Sequence, residues 1–135
     1  MPYKIQWLKD NLVYITWKRT PGITEAQRFV SELDGIVRNS EQKLYFMSDL
    51  RRGRIIDIRV IQMLSRLTQH ENWAGSVAFT TDPVSRSFLN IFQGMILENK
   101  DRNPMFDEFE KAYSFLETLS PGITDGVDWE SVLNG

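Results

Sequence analysis

Short continuous apolar runs alternate with helix-length apolar stripes through the middle of this sequence, and that alternation restricts the fold more than any other feature. Leu44, Tyr45, Phe46 and Met47 form an unbroken apolar run ending in Ser48 and Asp49, as in a central parallel strand covered on both faces. Ile56, Val60, Met63, Leu64 and Leu67 then recur at helical spacing, which predicts a helix with one face on the sheet. Asp57 stands close to its start, where negative charge complements the helix dipole. Val77, Ala78 and Phe79 predict another short buried strand, and Asp82 followed by Pro83 predicts an N-cap and a first-turn proline. The stripe of the third helix is Val84, Phe88, Ile91, Phe92 and Met95. A loop follows over 99–104, and Met105 with Phe106 forms a last, brief strand.

The flanking segments complete the pattern. Tyr3 to Leu8 and Leu12 to Lys18 are rich in β-branched and aromatic residues and are separated by the turn formers Lys9, Asp10 and Asn11, which predicts an antiparallel hairpin. Val13, Ile15 and Trp17 alternate with Tyr14, Thr16 and Lys18, so two unlike faces are expected, with Trp17 inside. After Pro21 and Gly22, Thr24 and Gln27 have capping-box spacing. Ala26, Phe29, Val30, Leu33, Ile36 and Val37 then trace a helix ending near Asn39. Asp107 and Glu110 repeat the capping spacing before a final helix with Phe109, Ala112, Leu116 and Leu119 on its buried side, stopped by Ser120, Pro121 and Gly122. The order ββαβαβαβα predicts an α/β fold: a mainly parallel central sheet with an N-terminal hairpin and about four helices. Residues 1–120 form the expected domain, and 121–135, with Trp129, Val132 and Leu133, a tail that is flexible or docked locally.

Composition narrows the chemistry. A chain of 135 residues with 41% hydrophobic and 25% charged residues supports one globular domain. Without cysteine it has no disulfide, thiolate metal site or cysteine nucleophile. The single histidine, His70, falls at the expected end of the second helix beside Glu71 and Asn72, and reads as a helix-end residue. Triads and multi-histidine zinc sites therefore lack partners. Neither common glycine-rich phosphate loop is present, and no cofactor is expected. A net charge of −2 with interspersed signs argues against nucleic acid as a partner. The start, MPYKIQWLKD, lacks a leader pattern, and no run approaches the ~18 apolar residues of a membrane span. The expectation is a cytoplasmic protein. The acidic groups Asp107, Glu108, Glu110 and Asp125, Asp128, Glu130 read as helix-start or solvated charge. Trp7, Trp17, Phe29, Phe46, Phe79, Phe88, Phe92 and Phe115 read as core.

One local feature remains. Asp49-Leu50-Arg51-Arg52-Gly53-Arg54 lies between the central strand and the second helix. Ligands of open α/β sheets favour the carboxyl ends of strands, where a helix N-terminus offers free N–H groups. Three arginines there suit a phosphate, an anionic headgroup or an acidic partner surface; the alternative is a solvated basic loop.

The opening hairpin, the helix after Pro21-Gly22-Ile23-Thr24 and the stretch from Lys43 to Leu64 resemble the STAS domains, particularly the SpoIIAA-like group related to anti-sigma factor antagonists, over about residues 3–119. That group has a strand ending in Asp-Leu, a short connection, then Ile-Asp-Ser-Ser-Gly opening a helix. Here Asp49-Leu50 is followed by Ile56-Asp57-Ile58-Arg59-Val60. Ile58 occupies the position of the phosphorylatable serine, with no hydroxyl at 59 or 60, so the likeness does not extend to that switch. The resemblance implies a non-enzymatic module that presents Arg51, Arg52, Arg54, Asp57 and Arg59 to another protein, such as a regulatory kinase or sigma-pathway component. Some relatives of that group look similar to lipid-binding Sec14-type domains, which implies an alternative: a carrier or sensor of a lipid or small apolar ligand, with Phe88, Phe92 and Met95 lining its pocket. Homodimerisation through an unpaired sheet edge is a further expectation.

Overall fold

The computed structural model describes residues 2–54, 57–84, 86, 87, 90 and 102–135. Strand β1 (Tyr3–Lys9) turns at Asp10 and Asn11 into the antiparallel β2 (Leu12–Trp17). The chain then crosses through α1 (Ile23–Arg38) to β3 (Leu44–Asp49), and through α2 (Ile58–Leu67) to β4 (Trp73–Phe79). The two-residue β5 (Met105–Phe106) leads into α3 (Phe109–Leu119), and α4 (Trp129–Asn134) ends the chain. Among the described residues the strands form one sheet in the order β1-β2-β3-β4-β5, parallel from β2 onward. Ile56, Phe88, Ile91, Phe92, Met95 and the expected loop residues 99–101 lie outside the described residues.

The sheet has apolar side chains on both faces. Val13, Ile15, Trp17, Phe46 and Leu44 pack against Phe29, Leu33 and Val37 of α1 and Val60 and Ile61 of α2. Leu12, Tyr14, Met47, Val77 and Phe79 meet Ala112 and Leu116 of α3 and Ile123 beyond it. Trp17 is inside, as expected, but the unlike second face of β2 is not polar: Tyr14 is also fully buried. Its cover comes from α3 and the 121–135 segment, far along the chain. Trp129 stands 6.2 Å from the Tyr14 ring, 5.4 Å from Phe109 and 5.8 Å from Tyr113, an aromatic cluster that seats α4 by ring contact. Glu117 anchors the intervening turn, accepting from the backbone N–H groups of Gly122 and Thr124 and from the Thr124 hydroxyl. Gly122 has φ +88, a left-handed conformation that suits glycine.

Several helix starts differ from the sequence reading. The α1 start lies at Gly22 instead of Thr24: glycine has no side chain to cap the helix, and the Glu25 carboxylate accepts from the Gly22 N–H and is held by both arms of Arg19 at 3.0 and 2.6 Å. At α3 the N-cap is Glu108, with no side-chain hydrogen bond, because Asp107 is drawn to Lys111 at 2.8 Å. Val84, placed on a buried stripe by its spacing, is 53% exposed, and Trp7, read as core, is 50% exposed.

Candidate functional site

The carboxyl ends of β2, β3 and β4 point the same way, since these strands are parallel. Their outgoing segments therefore gather at one end of the sheet. Leu50 donates its N–H to the Phe79 carbonyl, and its own carbonyl accepts from the Thr80 hydroxyl, so the β3 and β4 exits are tied together. Gly53 closes the arginine loop onto the β2 exit: a Cβ there would lie 2.6 Å from the Arg19 carbonyl oxygen and 2.8 Å from Trp17 Cβ. Only a residue without a side chain allows that approach.

The arginines of the loop have different surroundings. Arg51 turns back on Asp49, with Nε 3.0 Å from Oδ1 and Nη2 2.7 Å from Oδ2, and its backbone N–H also donates to Oδ1. Nη2 further donates to the Leu133 carbonyl at 2.7 Å, and the guanidinium lies 5.6 Å from the Phe79 ring centre. Asp49 is buried and also accepts from the Tyr14 hydroxyl at 2.9 Å. Burial and this carboxylate together push the Tyr14 phenol far above its ordinary range. Arg51 is thus an internal clamp. Arg54 pairs with Asp82 across the β3 and β4 exits at 2.6 Å. Arg59 forks onto Asp57 at 3.0 and 2.7 Å. Arg52 is exposed and has no ion pair or side-chain hydrogen bond among the described residues.

Asp57, expected close to the start of α2, is its N-cap, accepting from the Arg59 backbone N–H at 2.9 Å. The Arg59 guanidinium, then that N–H, hold its carboxyl below the ordinary range. Ile58, the first residue of α2, is 44% exposed. Val84 stands two residues past Asp82, to which its N–H donates at 3.4 Å. Trp7, Ile58 and Val84 are the large apolar side chains left exposed among the described residues. Two of the three lie at the carboxyl end of the sheet, beside ion pairs. Sequence periodicity singles out neither: Ile58 stands where the resemblance expects a serine, and the spacing of Val84 places it on a buried stripe.

A separate apolar cavity of about 70 Å³ lies on the α1 and α2 side of the sheet, among Trp17, Phe29, Leu33, Leu64 and Trp73. Ligand pockets usually enclose ~300–1,000 Å³. Phe88, Phe92 and Met95, expected to line a lipid site, lie outside the described residues. His70 accepts the Asn72 backbone N–H at Nδ1, 3.0 Å away, as part of the α2 to β4 turn. The described residues hold no cluster of three metal-ligating side chains and no helix long and apolar enough to cross a membrane.

An N-terminal hairpin feeding a mainly parallel sheet, with a helix opening just beyond the central strand, defines a STAS-like α/β fold. Comparison with solved structures shows the same architecture. The anti-sigma factor antagonist SpoIIAA, in its unphosphorylated form, matches with a TM-score of 0.64 at 14% identity, over 86% of this chain and 96% of that one. No protein-family model and no curated protein matches the sequence.

Proposed function

We propose that this chain is a non-enzymatic protein-interaction module, regulatory in role, whose docking surface is the carboxyl end of the sheet. The observation that carries the reading is Ile58: an apolar side chain, 44% exposed, at the first turn of α2. Val84 adds a second apolar contact. Arg52 adds an uncommitted positive charge, and the Arg54–Asp82 and Asp57–Arg59 pairs form a polar rim. Apolar anchors inside a polar rim are the usual anatomy of a protein interface. Arg51 supports the surface from behind by fixing the loop. The partner is a protein with an apolar patch flanked by acidic groups. The fold it shares with an anti-sigma factor antagonist supports a partner in transcriptional regulation, and hence a cytoplasmic site of action.

A photo-crosslinking residue placed at Ile58 in living cells tests this, with the same residue at the exposed Thr118 on α3 as control. One protein should be linked from position 58 and not from 118, and Arg52→Glu should weaken its capture at least tenfold. Equal labelling from both positions, or capture unaffected by Arg52→Glu, overturns the surface.

A further inference from the structure

Among the described residues strand β1 is one edge of the sheet. Its outward hydrogen-bonding groups follow from the hairpin register. Lys18 donates its N–H to the Pro2 carbonyl at 2.7 Å, making 2 and 18 a hydrogen-bonded pair. Since such pairs alternate, Lys4 with Thr16 and Gln6 with Tyr14 are bonded to β2, whereas Tyr3, Ile5 and Trp7 direct their N–H and C=O groups away from the sheet. The register shifts between Trp7 and Lys9, so the regular edge runs from Tyr3 to Trp7. Edges are ordinarily guarded by proline, charged side chains, lysine above all, or bulges, and the irregularity past Trp7 closes this one off at that end only. Between Tyr3 and Trp7 the only charged residue is Lys4, there is no proline, and the stretch ends on the half-exposed Trp7.

We propose that β1 pairs antiparallel with β1 of a second copy of this chain, about a two-fold axis at Ile5. The regular stretch is centred on Ile5, and this register is self-complementary. Ile5 faces Ile5 of the other copy, and Trp7 faces Tyr3, an aromatic cross-strand pair on the α1 side of the sheet. Lys4 faces Gln6, so no two lysines are opposed. The exposed ring of Trp7 gains a neighbour, and the outward groups of Tyr3, Ile5 and Trp7 gain partners. A net charge of only −2 offers little repulsion between copies.

The absence of cysteine makes the register directly readable in purified protein. At the axis the two Ile5 Cα atoms would stand about 5.5 Å apart, within disulfide reach. The two Trp7 Cα atoms would be about 13 Å apart along the strands, out of reach. Under mild oxidation Ile5→Cys should form a covalent dimer and Trp7→Cys should not. Sedimentation of the unmodified chain should show a concentration-dependent dimer, and Trp7→Lys, with its folded spectrum retained, should weaken it at least tenfold. A monomer at all concentrations with no Ile5→Cys linkage overturns the proposal. Linkage through Trp7→Cys alone overturns the register. Neither readout depends on the docking surface at Ile58.

Discussion

Arg51 lies over the carboxylate of Asp49, two residues earlier, and spans it with two arms of one guanidinium group at 3.0 and 2.7 Å. The Asp49 side chain is nearly inaccessible and that of Arg51 only a third exposed. The pair therefore belongs to the framework, and its immediate neighbour Arg52 to the surface. Two adjacent arginines thus differ in burial and in partners.

That division gives the first prediction. Arg51→Ala leaves a buried carboxylate with only the Tyr14 hydroxyl and a backbone N–H, and should lower stability by about 2 kcal/mol in urea unfolding. Arg52→Ala should stay within about 0.5 kcal/mol of the parent while weakening partner capture. The opposite pattern would exchange the two roles.

Gly53→Ala should destabilise the fold by about 1–3 kcal/mol, since the added methyl meets backbone of Arg19 and Cβ of Trp17, which cannot swing aside. Amide exchange should quicken first in the 50–54 loop and at the start of α2. A variant as stable as the parent would show that the close approach can relax freely.

Trp129→Ala removes three ring contacts at once. A stability loss of about 2 kcal/mol is expected, below that for a fully buried tryptophan because Trp129 is half-buried. Amide exchange in α4 should rise more than in α1, on the other face of the sheet. Equal increases in both helices would mean that α4 does not open separately.

The Glu117 carboxyl is held below its ordinary range by the Thr124 hydroxyl, then by the Thr124 and Gly122 N–H groups. With the folded value depressed, its stabilising contribution is present above the ordinary carboxylate range and disappears as pH falls through that lower value. The Gly122 and Thr124 amide resonances should therefore titrate together on acidification. In Glu117→Gln they should not titrate at that pH. A common titration persisting in that variant would assign it to another group.

The sequence made much of this architecture legible, for local reasons. The continuous run at Leu44 marks a strand covered on both faces, and the stripe ending at Leu67 marks α2, because each pattern mirrors its own burial. Asp57 could be placed at the start of α2 because the helix dipole favours negative charge there. Distant partners decided what was missed. Tyr14 reads as half of a two-faced strand until Trp129, more than a hundred residues away, covers it. The spacing of Thr24 and Gln27 could not show that the α1 start lies at Gly22, where Arg19 holds Glu25 in place. The arginine loop was visible as a cluster of charge, but which arginine remained uncommitted depended on Asp49, Asp82 and Asp57. An alternating polar pattern likewise cannot reveal that Trp7 sits at the sheet margin.

The carbonyl of Leu133 and the carboxylate of Asp49 share the guanidinium of Arg51. Seating of the terminal helix and placement of the loop beside the proposed docking surface are therefore thermodynamically linked. If a partner holds that loop more tightly when Arg51 is in place, it must favour the seated helix by the same factor, and a modification that lifts the helix must weaken the partner in equal measure.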